Sequence, residues 1–140
     1  MSDTFVIDCS VAAKWILPEP GQEAALSWFN RYVAGEVVLI APDILVAEFA
    51  SLLAKHHRRK MLTAGQARDA FAFMTKVSPR LFQTRPRLAR ALDLSVKYHL
   101  SLWDCIYLAL AQEHDCSVLT ADARLFRGGT ANHAPVRLLQ

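Results

Sequence analysis

Residues 101–122 read SLWDCIYLALAQEHDCSVLTAD, and this stretch decides the class of fold. Ser101 is a helix-capping residue type with an acid three positions later, so a helix begins there and runs to about His114. Ser117 to Leu119 then forms a short apolar run of strand length, with Asp122 just past it. The same alternation recurs on either side. Phe5-Val6-Ile7 is a buried strand ahead of Asp8, and Ser10 caps a helix over Val11–Leu17 that Pro18 and Pro20 end. A helix from about Gly21 to Ala34 stops at Gly35, and Val37 to Ile40 is another strand. Pro42-Asp43 opens a long helix carrying Glu48. Thr63 and Gln66 form a capping box for a helix to about Val77. Arg80 to Gln83 is a strand, Thr84-Arg85-Pro86 starts a helix to about Tyr98, and Val136 to Leu139 is a last strand. Strands separated by helices imply parallel βαβ units, hence an α/β protein: a three-layer α/β/α sandwich around a mainly parallel sheet.

A chain of 140 residues, 53% apolar and 21% charged, suits one globular domain over residues 1–140, and no repeat or linker divides it. The longest apolar run, Cys105 to Ala111, is far below the roughly 18 residues of a membrane span. MSDTFVID lacks the pattern of a secretory leader. Three cysteines, scattered through apolar sequence, do not make a disulfide framework. The expectation is a reduced, cytoplasmic protein. Net charge is +3, and the cations fall in two clusters, His56–Lys60 and Arg80, Arg85, Arg87 and Arg90. Each is either a solvated helix end or a footprint for a polyanion.

Four acids stand out against this frame. In a parallel α/β sheet, ligands collect beyond the carboxyl ends of the strands. Asp8 and Asp122 each follow a strand, and they share a rim if those strands are neighbours. Either could instead be a simple cap or turn residue. Glu48 falls within or beside the apolar stripe of Leu45, Phe49 and Leu52, so its carboxylate needs a strong partner. That partner is a basic side chain such as Lys14 or Lys55, or a metal ion shared with other acids. Asp104 fits a capping box with Ser101, yet its neighbours Leu102, Trp103, Ile106 and Tyr107 are apolar. Converging carboxylates repel and retain protons unless a cation joins them. Hard oxygen donors suit Mg²⁺, or Mn²⁺, and such a site activates water against a phosphodiester. With the basic clusters, RNA becomes a sensible substrate.

FVIDCSVAAKWILPEP, APDILVAEFASLL and LSLWDCIYLALAQEHDCSVLTADARLF, in this order and spacing, resemble the PIN-domain family, and within it the VapC toxins of bacterial toxin–antitoxin pairs. The resemblance covers essentially the whole chain. It implies that Asp8, Glu48, Asp104 and Asp122 are the catalytic metal ligands and that Ser10 and Thr120 are hydroxyl positions holding a carboxylate or water. It also implies a Mg²⁺-dependent endoribonuclease that forms a homodimer. A VapB-like antitoxin would silence it, often through a basic side chain placed in the acidic site. Cys9 and Cys105 depart from the family by replacing small residues, and Arg124 stands where some relatives add another acid.

Lys14, Arg85 and Arg87 are candidates for RNA phosphate contacts. Trp15, Trp28 and Phe29 read as core or dimer contact rather than a stacking surface. His56, His57, His99, His114 and His133 lack ligand spacing with the cysteines and read as surface or helix-end residues. No glycine-rich phosphate loop is present, and Gly128-Gly129 reads as a loop. The competing class is a non-catalytic PIN-like module that holds RNA or a protein.

Overall fold

The computed structural model describes residues 3–140. Met1 and Ser2 lie outside them, and the reading of MSDTFVID as leaderless rests partly on those two. Five strands form one sheet: β1 (Asp3–Ile7), β2 (Val37–Pro42), β3 (Arg80–Phe82), β4 (Ser117–Thr120) and β5 (Val136–Leu138). Their order is β3-β2-β1-β4-β5 and every pairing is parallel. Successive strand residues face opposite sides of a sheet, yet Val6 and Ile7, Leu39 and Ile40, and Val118 and Leu119 are all buried. Both faces are therefore covered by helices, as the continuous apolar runs of parallel strands require.

Seven α-helices occupy those faces among the described residues: α1 (Cys9–Ala12), α2 (Gln22–Val33), α3 (Ile44–Arg58), α4 (Ala64–Val77), α5 (Leu88–Tyr98), α6 (Leu102–Glu113) and α7 (Ala123–Ala131). Helix α6 is buried without a break from Cys105 to Ala111 and packs against β1, β2, β4 and α5. Its start is set by Ser101, whose hydroxyl accepts from the Asp104 amide at 3.1 Å. Thr63 and Gln66 make the expected reciprocal capping box on α4. Trp15 and Trp28 belong to the core: the Trp15 ring lies 5.1 Å from Phe29, and its indole donates to the Ala25 carbonyl at 3.0 Å.

Two local expectations are corrected. The helix after β1 is shorter than Val11–Leu17: α1 ends at Ala12 and gives way to a tighter turn over Ala13–Trp15. Its cap is Asp8, which accepts from the Val11 amide at 3.3 Å, and not Ser10. Gly128 and Gly129 lie inside α7 rather than in a loop. A Cβ on Gly128 would stand 2.6 Å from Leu100 Cδ2, and one on Gly129 2.4 Å from Val136 Cγ2. The glycine pair lets α7 close onto β5 and the α5–α6 turn, and that packing overrides the poor helix propensity of glycine.

Candidate active site

Strand order fixes the site. The chain leaves β1 for β2 and β3 on one side, then returns to place β4 on the other side of β1. The carboxyl ends of β1 and β4 therefore flank the point where the winding reverses, the usual place for a ligand in such sheets. Ile7 pairs with Leu119, so Asp8 and Thr120 leave the sheet side by side, with Asp122 two residues farther on. The condition that the two acid-bearing strands be neighbours is met.

Asp8 is buried, at 7% exposure, and two hydroxyls hold it. Ser10 Oγ accepts from the Ala121 amide at 2.8 Å and donates to Asp8 Oδ1 at 2.5 Å. Thr120 Oγ1 accepts from the Asp122 amide at 3.0 Å and donates to Asp8 Oδ2. Each backbone amide occupies a lone pair of its hydroxyl and turns the hydroxyl proton toward the carboxylate. Burial nevertheless dominates, pushing Asp8 up from 3.8 to about 6; the hydrogen bonds pull the other way, and Asp104 adds a smaller upward push.

Glu48 projects from α3, half-buried, and its partner is neither Lys14 nor Lys55. The Tyr107 hydroxyl, one turn beyond Asp104 on α6, donates to Glu48 Oε1. Burial raises the Glu48 pKa, Tyr107 lowers it, and Asp104 raises it again. Asp104 is likewise raised, first by burial; the Ser101 hydroxyl opposes this, Asp122 adds to it and Arg124 opposes it. Asp122 caps α7, its Oδ1 accepting from the amides of Arg124 at 2.9 Å and Leu125 at 3.4 Å. Tyr107 was missed in the sequence; its one signal was the three-residue spacing from Asp104 within a buried helix.

The four acids thus form one electrostatic group: Asp8 and Glu48 each feel Asp104, and Asp104 feels Asp122. Arg124 is the cation that opposes the rise at Asp104. An all-oxygen donor set with unbalanced negative charge is chemically suited to a hard divalent cation. The donors are not drawn together in advance. Among the described residues, no three His, Cys, Asp or Glu side chains stand close enough to grip one ion jointly.

Of the other candidates, Lys14 reaches Glu19 at 3.6 Å and lines an open cleft of about 720 Å³ beside Ser10 and Glu48. Arg85 is exposed, in a separate hollow with Asp43 and Thr84. Arg87 grips Glu113 with two hydrogen bonds, at 2.9 and 2.8 Å, and also donates to the Gln83 carbonyl. Cys9 is pushed up to about 12 and Cys105 to about 11, mainly by burial and then by neighbouring carboxylates, so both are thiols at neutral pH. No described helix is long and apolar enough to cross a membrane.

The model of the PIN domain family matches residues 5–129. "Ribonuclease VapC3" of Pyrobaculum aerophilum is 28% identical, the match covering 86% of this chain and 91% of that protein. "Ribonuclease VapC9" of Mycobacterium tuberculosis is also 28% identical, over 91% of this chain and 92% of its own. Among solved structures, one from Pyrobaculum aerophilum superposes with a TM-score of 0.70 at 16% identity, covering 91% of this chain and 79% of that one. FitAcB from Neisseria gonorrhoeae gives 0.60 at 18% identity, covering 97% and 96%. A toxin–antitoxin complex from Klebsiella pneumoniae gives 0.58 at 19% identity, covering 89% and 91%.

Proposed function

The chain belongs to the PIN domain family, and on that premise we propose that it is a Mg²⁺-dependent endoribonuclease, the toxin of a VapBC-type pair. The observation that carries this reading is the Ile7–Leu119 pairing. It sets Asp8 and Asp122 on one rim, where the charge of Asp104 raises the proton affinity of Asp8 and Glu48, and that of Asp122 raises the proton affinity of Asp104. The names of the 28%-identical relatives support ribonuclease chemistry, and the antitoxin complex among the structural neighbours supports a protein partner.

Asp8, Glu48, Asp104 and Asp122 would hold Mg²⁺ or Mn²⁺. A cation there lowers the pKa of a water and offsets the charge that develops on a phosphodiester. Ser10 and Thr120 fix both oxygens of Asp8, and Tyr107 fixes Glu48, so these side chains orient the donors. Lys14 beside the acids, and Arg85 more distantly, supply cations for the RNA backbone. A homodimer in the cytoplasm, silenced by a VapB-like antitoxin that sets a basic side chain among the acids, completes the proposal.

The test is cleavage of single-stranded RNA with Mg²⁺ or Mn²⁺ and then with EDTA, comparing the wild type with Asp8→Asn. Cleavage that requires the metal and is lost in the variant is expected. Metal-independent cleavage, or full activity in Asp8→Asn, overturns the mechanism. Binding without cleavage under both metals favours the non-catalytic module.

A further inference from the structure

Trp103 differs from the other tryptophans. Trp15 and Trp28 are 6% and 4% exposed, whereas Trp103 is 55% exposed. Its indole makes no hydrogen bond and no ring or cation contact with any described residue. It stands in the first turn of α6, next to Asp104, and lines the same cleft as Ser10, Glu48, Lys14 and Lys55. An indole left open in the wall of a cleft beside carboxylates offers a flat, stackable face to whatever occupies that cleft.

The cleft indicates what that is. It follows α3 from Ile44 through Glu48 and Leu52 to Lys55, about 16 Å of helix. Lys55 enters no salt bridge among the described residues, and the helix continues directly into His56, His57 and Arg58. The cleft therefore runs from the acids, with the indole among its lining residues, past apolar side chains of α3 to the cation of Lys55, and the basic end of the helix follows. A strand of phosphates with stackable bases fits that sequence of surfaces. Cations follow its backbone, and an aromatic face takes a base without reading its identity.

On the ribonuclease reading above, we infer that Trp103 is a stacking platform for a nucleobase next to the scissile phosphate and that the RNA leaves the site along α3 past Lys55. Trp103 thus sets where the strand sits, and it takes no part in the bond breaking.

The probe is an unstructured single-stranded RNA of about a dozen nucleotides, bound in EDTA so that it stays intact, alongside the same strand with abasic positions. Stacking of one base predicts that Trp103→Ala weakens binding between about fivefold and a hundredfold. Trp103→Phe should retain most of the affinity. The salt dependence of binding should not change in Trp103→Ala, because stacking releases no counterions, whereas Lys55→Ala should flatten it. RNA should shield the indole of the wild type from acrylamide, and the abasic strand should bind the wild type as weakly as RNA binds Trp103→Ala. An indole still open to acrylamide with RNA bound gives the cleft to another occupant, such as a protein segment, and overturns the inference. So does unchanged affinity in Trp103→Ala. A wild type that cleaves RNA while Trp103→Ala behaves identically removes the platform and leaves the ribonuclease standing. Failure to bind or cleave RNA at all removes both.

Discussion

Thr120 donates its hydroxyl proton to the carboxylate of Asp8 across 112 positions of sequence, one residue beyond the point where Ile7 and Leu119 pair. The bond lowers the proton affinity of Asp8 against the burial that raises it. Thr120→Val removes the donor and also leaves the Asp122 amide without its acceptor. The variant should lose about 1–3 kcal/mol of stability by denaturant unfolding. The acid limb of its RNA-cleavage profile should move to higher pH, because Asp8 then keeps its proton longer. An unshifted limb would show that Asp8 does not govern the profile.

Asp8 itself predicts an opposition between stability and activity. With its pKa raised from 3.8 to about 6, the folded chain binds this proton more tightly than the unfolded chain does. The metal-free protein should therefore lose stability as pH rises from about 4 to about 6, by about 3 kcal/mol at most from this group. Asp8→Asn carries no such charge. At pH 7 in EDTA it should melt higher than the wild type and show a flatter pH dependence. Adding Mg²⁺ should raise the wild-type Tm more than that of the variant. A variant that melts lower in EDTA at pH 7 would refute the assignment.

The division between what the sequence made legible and what it hid follows the range of the interactions. Ser101 capping α6 and the Thr63–Gln66 box are contacts three residues apart, so residue type and spacing suffice to read them. The run Phe5–Ile7 and the run Ser117–Leu119 were readable as strands, and the acids after them as candidates, because apolar periodicity is local. Their adjacency was a condition that only the sheet could supply. The Ser10–Ala121 and Tyr107–Glu48 bonds span 111 and 59 positions, and nothing near either residue announces them. Local reasoning therefore gave Ser10 the cap that Asp8 makes, and it offered Glu48 a lysine or a metal ion without finding the phenol that donates to it. Gly128-Gly129 failed for the same reason, since the crowding by Leu100 and Val136 that favours glycine lies outside the segment.

Tyr107→Phe isolates the hold on Glu48. Losing the phenol removes the hydrogen bond that lowers the Glu48 pKa and leaves burial and Asp104, both of which raise it. The ring still fills its place, so the fold should survive. Apparent affinity for Mg²⁺, read as the metal dependence of cleavage, should fall by roughly tenfold or more. The deficit should shrink as pH rises and Glu48 ionises. A loss of the same size at every pH would mean that Tyr107 acts elsewhere than on Glu48.

Cys9→Ala/Cys105→Ala should leave cleavage unchanged, with and without peroxide. Both thiols titrate far above neutral pH, and oxidation proceeds through the thiolate, so almost none of the reactive form is present at pH 7. The alternative is that these cysteines, flanking Asp8 and Asp104 in sequence, sense oxidants or bind a softer metal. Peroxide inhibition of the wild type that the double variant escapes would establish that alternative.

Arg85 and Arg87 separate a free cation from an engaged one within three residues of chain. Arg87 has Glu113 on two of its nitrogens and the Gln83 carbonyl on a third, whereas Arg85 is exposed and forms no ion pair among the described residues. A phosphate must compete with Glu113 for Arg87 but meets no such competitor at Arg85. RNA binding by Arg85→Ala should weaken and lose close to one unit of its dependence on log salt concentration. Arg87→Ala should keep the wild-type slope and show its effect in thermal stability, since it unties α6 from the turn before α5. A flattened slope in Arg87→Ala, with Arg85→Ala unchanged, would move the phosphate track to the opposite side of that turn.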